Sequence, residues 1–178
     1  MVRSLMYLTT TRSDIAHSVS LISRFVEYPK DKQFLTAKHI LRCLQETKNL
    51  EIFYKTGENE ELLVYTDSDY AGDFDDINNR YGYAFMLGGS VISWASKKQP
   101  VVSLSTFEVE FIAVTFMCLP MCLTKKNFRA SKLLSEMSYC HLADIMTKPL
   151  RVESFQHLQS ALGILEEPKI NCYKEHTI

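Results

Sequence analysis

Neither sign of charge dominates the chain of 178 residues: 20 lysines and arginines stand against 21 aspartates and glutamates, a formal net charge of -1. The basic field that draws many proteins to nucleic acid is therefore missing, and any such partner has to be held locally. Cysteine is sparse and poorly spaced. The five (Cys43, Cys118, Cys122, Cys140 and Cys172) form no CxxC pair and no finger spacing, and an odd, scattered count makes a poor disulfide framework, so a reducing compartment is expected. Long hydrophobic runs are missing as well. Leu5 to Leu8 is too short for a signal-peptide core, and Phe111 to Leu123, the most apolar stretch, is broken by Thr115 and Pro120 and falls short of a bilayer span. There is no internal repeat and no low-complexity tract. What remains, 46% hydrophobic, 11% aromatic and 23% charged, excludes disorder, collagen and a membrane bundle. A soluble intracellular protein without membrane contact is expected.

Helical spacing organises the first part of the chain. Ile15, Val19, Ile22, Phe25 and Val26 predict an amphipathic helix from Ser13 to Tyr28, with Ser13 and Asp14 suited to cap it and Pro29 to stop it. Phe34, Ala37, Ile40, Leu41 and Leu44 repeat the period and predict a second helix, packed on the first as a hairpin. Near Asn49 the pattern changes. Strands are predicted over 50–55, 62–66, 81–87 and 91–96, the last two joined at Gly88-Gly89-Ser90, where glycine accepts positive φ. Ser105 with Glu108 makes a capping box for a helix reaching the neighbourhood of Pro120. Weaker helical character returns over 128–137, and Phe155, Leu158, Leu162 and Ile164 mark a last amphipathic segment near Gly163, followed by a charged tail.

Two acidic features carry candidate chemistry. Asp67 ends the apolar run Leu62-Leu63-Val64-Tyr65-Thr66, and Asp69, Asp73, Asp75 and Asp76 follow it. Carboxylates at strand ends are frequent metal or catalytic ligands because the loop beyond opens to substrate; the alternative is a solvated, aspartate-rich turn. Glu108 and Glu110 lie near the start of the predicted helix, two residues apart and so facing different ways. Glu108 suits the cap, which leaves Glu110 pressed toward the sheet, either as a ligand or in a structural ion pair. Cys118 and Cys122, one helical turn apart, read as core residues rather than soft-metal ligands. No Ser-His-Asp arrangement, P-loop or dinucleotide motif is present, and no small-molecule cofactor is expected.

Taken in order, Tyr65-Thr66-Asp67-Ser68-Asp69-Tyr70-Ala71-Gly72, Gly82-Tyr83-Ala84-Phe85-Met86-Leu87-Gly88, Ile92-Ser93-Trp94-Ala95-Ser96-Lys97-Lys98-Gln99, Ser103 to Ala113 and Leu142-Ala143-Asp144-Ile145-Met146-Thr147-Lys148-Pro149-Leu150 closely resemble the ribonuclease H region of copia-type retrotransposon polyproteins. The N-terminal part resembles the segment that joins reverse transcriptase to that region, with Arg12-Ser13-Asp14-Ile15-Ala16 where the family usually has arginine-proline-aspartate. The resemblance reaches about Ile164. It implies a ribonuclease H-like fold that hydrolyses the RNA strand of an RNA/DNA hybrid with Mg2+, using carboxylates to hold two metal ions on either side of the scissile phosphate. By motif position, Asp67 matches the first catalytic aspartate and Glu110 the glutamate of the helix.

The chain also departs from that pattern. The family's cysteine-aspartate-asparagine and histidine-isoleucine-aspartate motifs are missing, and Leu133 to Met137 runs straight into Ser138 to Asp144, as though a block had been deleted. Asp144 matches a downstream tail motif rather than a ligand. Tyr70 replaces an expected tryptophan, and Asp76 to Tyr81 replaces a basic, hydroxyl-rich stretch. Arg80, Lys97 and Lys98 remain as candidate phosphate contacts for an RNA/DNA hybrid, with a solvated face as the alternative. The expectation is a truncated α+β ribonuclease H-like fold: a connection segment over 1–49, a partial ribonuclease H-like domain over 50–137 and a C-terminal tail segment over 138–178. Loss of the deleted block would leave 62–66 with an unpaired edge, and a two-carboxylate site would be catalytically impaired. An active ribonuclease H module and a non-enzymatic binding module are the alternatives.

Overall fold

In the computed structural model, residues 1–54, 62–69, 80–99, 108, 115 and 141–166 are described. The expected helix over 128–137, the turn at Gly57, the acidic group Asp73, Asp75 and Asp76, the capping residue Ser105, and Cys118 with Cys122 lie outside them, as does Glu110. Glu108 and Thr115, from the predicted Ser105 helix, are helical and exposed.

The architecture is α+β. The N-terminal unit is helical: α1 (Val2–Leu8), a 3-10 turn (Ser13–Ile15), α2 (Ala16–Ser23) and α3 (Asp31–Glu46). Leu5, Ile15, Val19, Ile22, Ala37 and Ile40 form its core, with Val2 and Leu44 packed against them, so the helical period does place the expected residues inside. Two boundaries differ from expectation. Helix α1 covers the run Leu5 to Leu8, and α2 ends at Ser23 instead of Tyr28. Past Ser23 the apolar side chains lie outside the core formed by the described residues, with Phe25 only partly buried. Val26 and Tyr28 are exposed, while the Ser23 hydroxyl donates to the Ser20 carbonyl, a local bond that competes with helix propagation. Helix α3 starts where the Lys30 backbone N–H donates to the Gln33 side chain at 3.0 Å, one half of a capping box.

Strands β2 (Leu62–Asp69), β3 (Arg80–Leu87) and β4 (Ser90–Lys98) make an antiparallel sheet in the order β2-β3-β4. Gly88 and Gly89 join β3 to β4 with φ of 58° and 76°, the two-residue positive-φ turn whose twist matches paired strands. Among the described residues β2 pairs only with β3.

A second, two-stranded sheet joins the stretch after the helical unit to the segment after the last helix. Strand β1 (Leu50–Ile52) pairs antiparallel with β5 (Ile164–Glu166), which follows α4 (Val152–Ala161). Gly163 makes this return possible. Its φ is 80°, and a Cβ there would lie 2.6 Å from the Ser90 hydroxyl oxygen, so only glycine passes so close to the start of β4. Residues 141–164 are thus part of the main core. Leu142, Ile145, Met146, Leu158, Leu162 and Ile164 pack with Ala84, Met86 and Val91 of the sheet and with Ala16 of the helical unit. Full burial of such side chains is worth about 1.5–3 kcal/mol each, which fastens residues 141–166 onto the face of the sheet. No helix among the described residues is long and apolar enough to cross a membrane.

Candidate functional site

Strand periodicity decides which side chains share a face. Asp67, Gly82 and Ser96 form one cross-strand row, and Asp69, Arg80 and Lys98 the next; residues directly opposite each other project to the same side. Asp67 therefore lies inside β2, still in register with β3, rather than at the strand's carboxyl end as its position in the sequence suggests. The ladder extends past the apolar run because Arg80 and Gly82 continue β3 opposite it.

The face carrying Asp67 is covered by the 3-10 segment His141–Met146 and the two residues after it. Gly82 explains the fit. A Cβ at that position would sit 2.5 Å from Met146 Cβ and 2.9 Å from Thr147 Cγ2, closer than packed carbons tolerate, so the absence of a side chain opposite Asp67 lets the segment rest on the strand. Two polar groups then reach Asp67. The Thr147 hydroxyl donates to Oδ2, and Lys148 Nζ donates to Oδ1 at 3.1 Å and to Asp144 Oδ1 at 3.3 Å. Asp144 also meets His141 Nδ1 at 3.2 Å.

The result is a half-buried cluster in which one ammonium joins two carboxylates. Side-chain exposure is 19% for Asp67, 15% for Asp144 and 35% for Lys148. Burial works against the Lys148 charge, but Asp67 and then Asp144 more than offset it and raise its pKa above the ordinary lysine value. Burial raises the pKa of Asp69 above the ordinary aspartate value, with Lys148 opposing the rise and Asp67 adding to it.

Of the residues singled out from sequence, Asp67 is in this cluster and Glu110 lies outside the described residues. Of the three candidate phosphate contacts, Arg80 and Lys98 are cross-strand partners on one face, and Lys97 is not brought to them. Arg80 is buried on β3, and its Nη1 donates to the Ser20 hydroxyl at 2.9 Å and the Ser96 hydroxyl at 3.0 Å, which ties α2 to the sheet. Lys97 is exposed and Lys98 half-buried; as neighbours on a strand they point to opposite faces. The structure adds Asp144, which sequence reasoning had left in a tail motif. Its i, i+4 spacing to Lys148 was the available signal, but only folding brings both to Asp67.

A second constellation includes Ser13 and Asp14, which the sequence suits to a helix cap. Arg12, Ser13 and Asp14 are buried, and neither the 3-10 turn nor α2 has a side-chain cap. Arg12 instead grips Asp14 with two parallel bonds, Nε to Oδ1 at 3.0 Å and Nη2 to Oδ2 at 2.7 Å. Gln159 of α4 donates to the same Oδ2 at 2.6 Å, and Arg12 also donates to the Thr47 carbonyl at 3.0 Å and the Thr47 hydroxyl at 3.0 Å. The carboxylate is committed to these partners, which is why it does not cap a helix.

Comparison with known proteins gives this geometry its context. The chain is 45% identical over 115 residues to the retrovirus-related Pol polyprotein from transposon TNT 1-94 of Nicotiana tabacum, covering 64% of this chain and 9% of that one. It is 43% identical over 113 residues to the corresponding polyprotein from transposon RE1 of Arabidopsis thaliana, covering 64% and 8%. It is also 36% identical over 115 residues to secreted RxLR effector protein 161 of Plasmopara viticola, covering 64% of this chain and 81% of that short protein. No family model matches the chain, and no solved structure does. The α+β unit is thus a retrotransposon-derived module. Its homologues at 41–45% identity are retrovirus-related Pol polyproteins of plant copia-type transposons, and it spans less than a tenth of the length of the two polyproteins just named.

Proposed function

We propose that this chain is a remnant of the ribonuclease H region of a copia-type Pol polyprotein, whose chemistry is Mg2+-dependent hydrolysis of the RNA strand of an RNA/DNA hybrid, and that catalysis is impaired in it. The observation that carries this reading is the state of Asp67. Both of its carboxylate oxygens already accept bonds, from Thr147 and from Lys148. Magnesium is held by carboxylate and water oxygens, and an ammonium 3.1 Å from Oδ1 stands where a divalent ion would have to bind, so the donor set around Asp67 does not fit Mg2+ while Lys148 stays. The missing family motifs support the same reading, because hydrolysis of this kind needs ions on both sides of the phosphate.

A second reading, an active module, is favoured by the meeting of Asp144 with Asp67 through Lys148, which adds a carboxylate to the proposed pair Asp67 and Glu110. One assay separates the two. Purified full chain incubated with an RNA/DNA hybrid in Mg2+ and in Mn2+ is expected to show no cleavage above background. Robust cleavage that disappears in both Asp67→Asn and Glu110→Gln overturns the remnant reading in favour of the active one. Contact with the hybrid is proposed to be weak and salt-dependent, with Lys97 the exposed cation of the three candidates, Lys98 half-buried and Arg80 bonded to Ser20 and Ser96; each neutralised phosphate adds roughly 0.9 to the salt slope.

A further inference from the structure

We infer that residues 141–148 form a built-in plug in which Lys148 serves as an internal cation for Asp67 and Asp144, keeping divalent ions off that face of the sheet. The inference deepens the proposed function and rests on its placing of the candidate site at Asp67. Three independent features carry it. The ammonium is shared, 3.1 Å from one carboxylate and 3.3 Å from the other, so a single positive charge holds the two carboxylates together and offsets half of their combined negative charge. Thr147, the residue before it, donates to the remaining oxygen of Asp67, so the backbone delivers two donors to one carboxylate in succession.

The third feature lies in the sheet. Gly82, the cross-strand partner of Asp67, is the position where any Cβ would collide with Met146 and Thr147. The seat for the plug is thus built beside the carboxylate it covers. Anchoring comes from Leu142, Ile145 and Met146 in the core, and the turn into Lys148 is held by its backbone N–H donating to the Asp144 carbonyl at 2.9 Å. Lysine suits this role better than arginine would. It is a compact point charge that bonds without a fixed planar fork, and its stem can swing away without dismantling a bidentate pair.

The test is binding of Mn2+ alone, followed calorimetrically on the full chain. Lys148→Met is expected to bind Mn2+ at least tenfold more tightly than the wild-type chain, and the double variant Lys148→Met with Asp67→Asn to lose that gain. Lys148→Gln, which keeps a polar side chain without the charge, is expected to show the same gain and serves if the Met variant fails to fold. Wild-type affinity equal to that of the folded variants overturns the plug, as does a gain that survives Asp67→Asn. Hydrolysis is not the readout, so Mn2+ affinity that ignores Lys148 overturns the plug and leaves the remnant reading standing, which only robust cleavage overturns.

Discussion

Two aspartates in this protein are each held by a basic side chain, and they are held in opposite ways. Asp14 is fully buried and gripped by the two-pronged Arg12 guanidinium, with Gln159 completing the set. Asp67 is partly exposed and held by a lysine that divides itself between two carboxylates. The first cluster joins elements 145 residues apart in sequence and cannot exchange its partner without exposing a bare charge to the core. The second sits on the sheet within reach of water. Depth of burial, rather than the presence of an ion pair, separates the structural clamp from the exchangeable site.

The largest expected effect comes from breaking the buried member. Asp14→Ala strands the Arg12 charge among Thr47 and the helical core, and the loss should be about 3–5 kcal/mol, read as a lowered urea midpoint. A midpoint shift no larger than that of a surface substitution would erase the contrast between the two clusters. Next in size is Gly82→Ala, which forces the 141–148 segment off β3 at a cost of about 1–3 kcal/mol. Thermal unfolding measures that cost, and amine labelling should show Lys148 more reactive in this variant than in the wild-type chain.

The smallest effect belongs to the half-buried cluster at Asp67. Asp67→Asn is expected to cost at most about 1 kcal/mol, and high salt should shrink it further, whereas the Asp14 effect should resist salt. The pH dependence of the Lys148 pairing has a definite sign. Its folded pKa is raised, so the stabilisation is complete below the ordinary lysine value of about 10.4 and is lost as pH rises through the folded value. Stability of wild type and Lys148→Met measured from neutral to strongly alkaline pH should therefore converge at the alkaline end.

Much of the scaffold was legible because it obeys a single period. The helical hairpin, the Gly88-Gly89 turn and strands β2 to β4 follow from apolar spacing and from glycine's access to positive φ, both local properties. Strand ends were less legible: β2 reaches Asp69 and β4 reaches Lys98 because a paired neighbour keeps polar residues in the ladder after the apolar pattern stops. Strand β5 escaped notice because three residues carry almost no periodic signal, and it exists by pairing with β1, more than a hundred residues earlier.

The candidate site divides along the same line. Asp67 was singled out from its place after an apolar strand within a motif, and that is a property of neighbouring residues. Arg12 and Asp14 were visible as a motif, but their partner Gln159 was not, so a clamp was mistaken for a cap.

By itself, then, the sequence determined the class of fold, the helical and strand periods, the family resemblance and the prominence of Asp67, because each is encoded in residues near one another along the chain. Only the tertiary structure decided that Arg80 turns inward to Ser20 and Ser96, that Asp14 belongs to Arg12 and Gln159, and that Thr147 and Lys148 close over Asp67. Hydrogen bonds and ion pairs act over a few ångströms in space, and which groups come within that range depends on how the sheet, helices and C-terminal segment pack against one another.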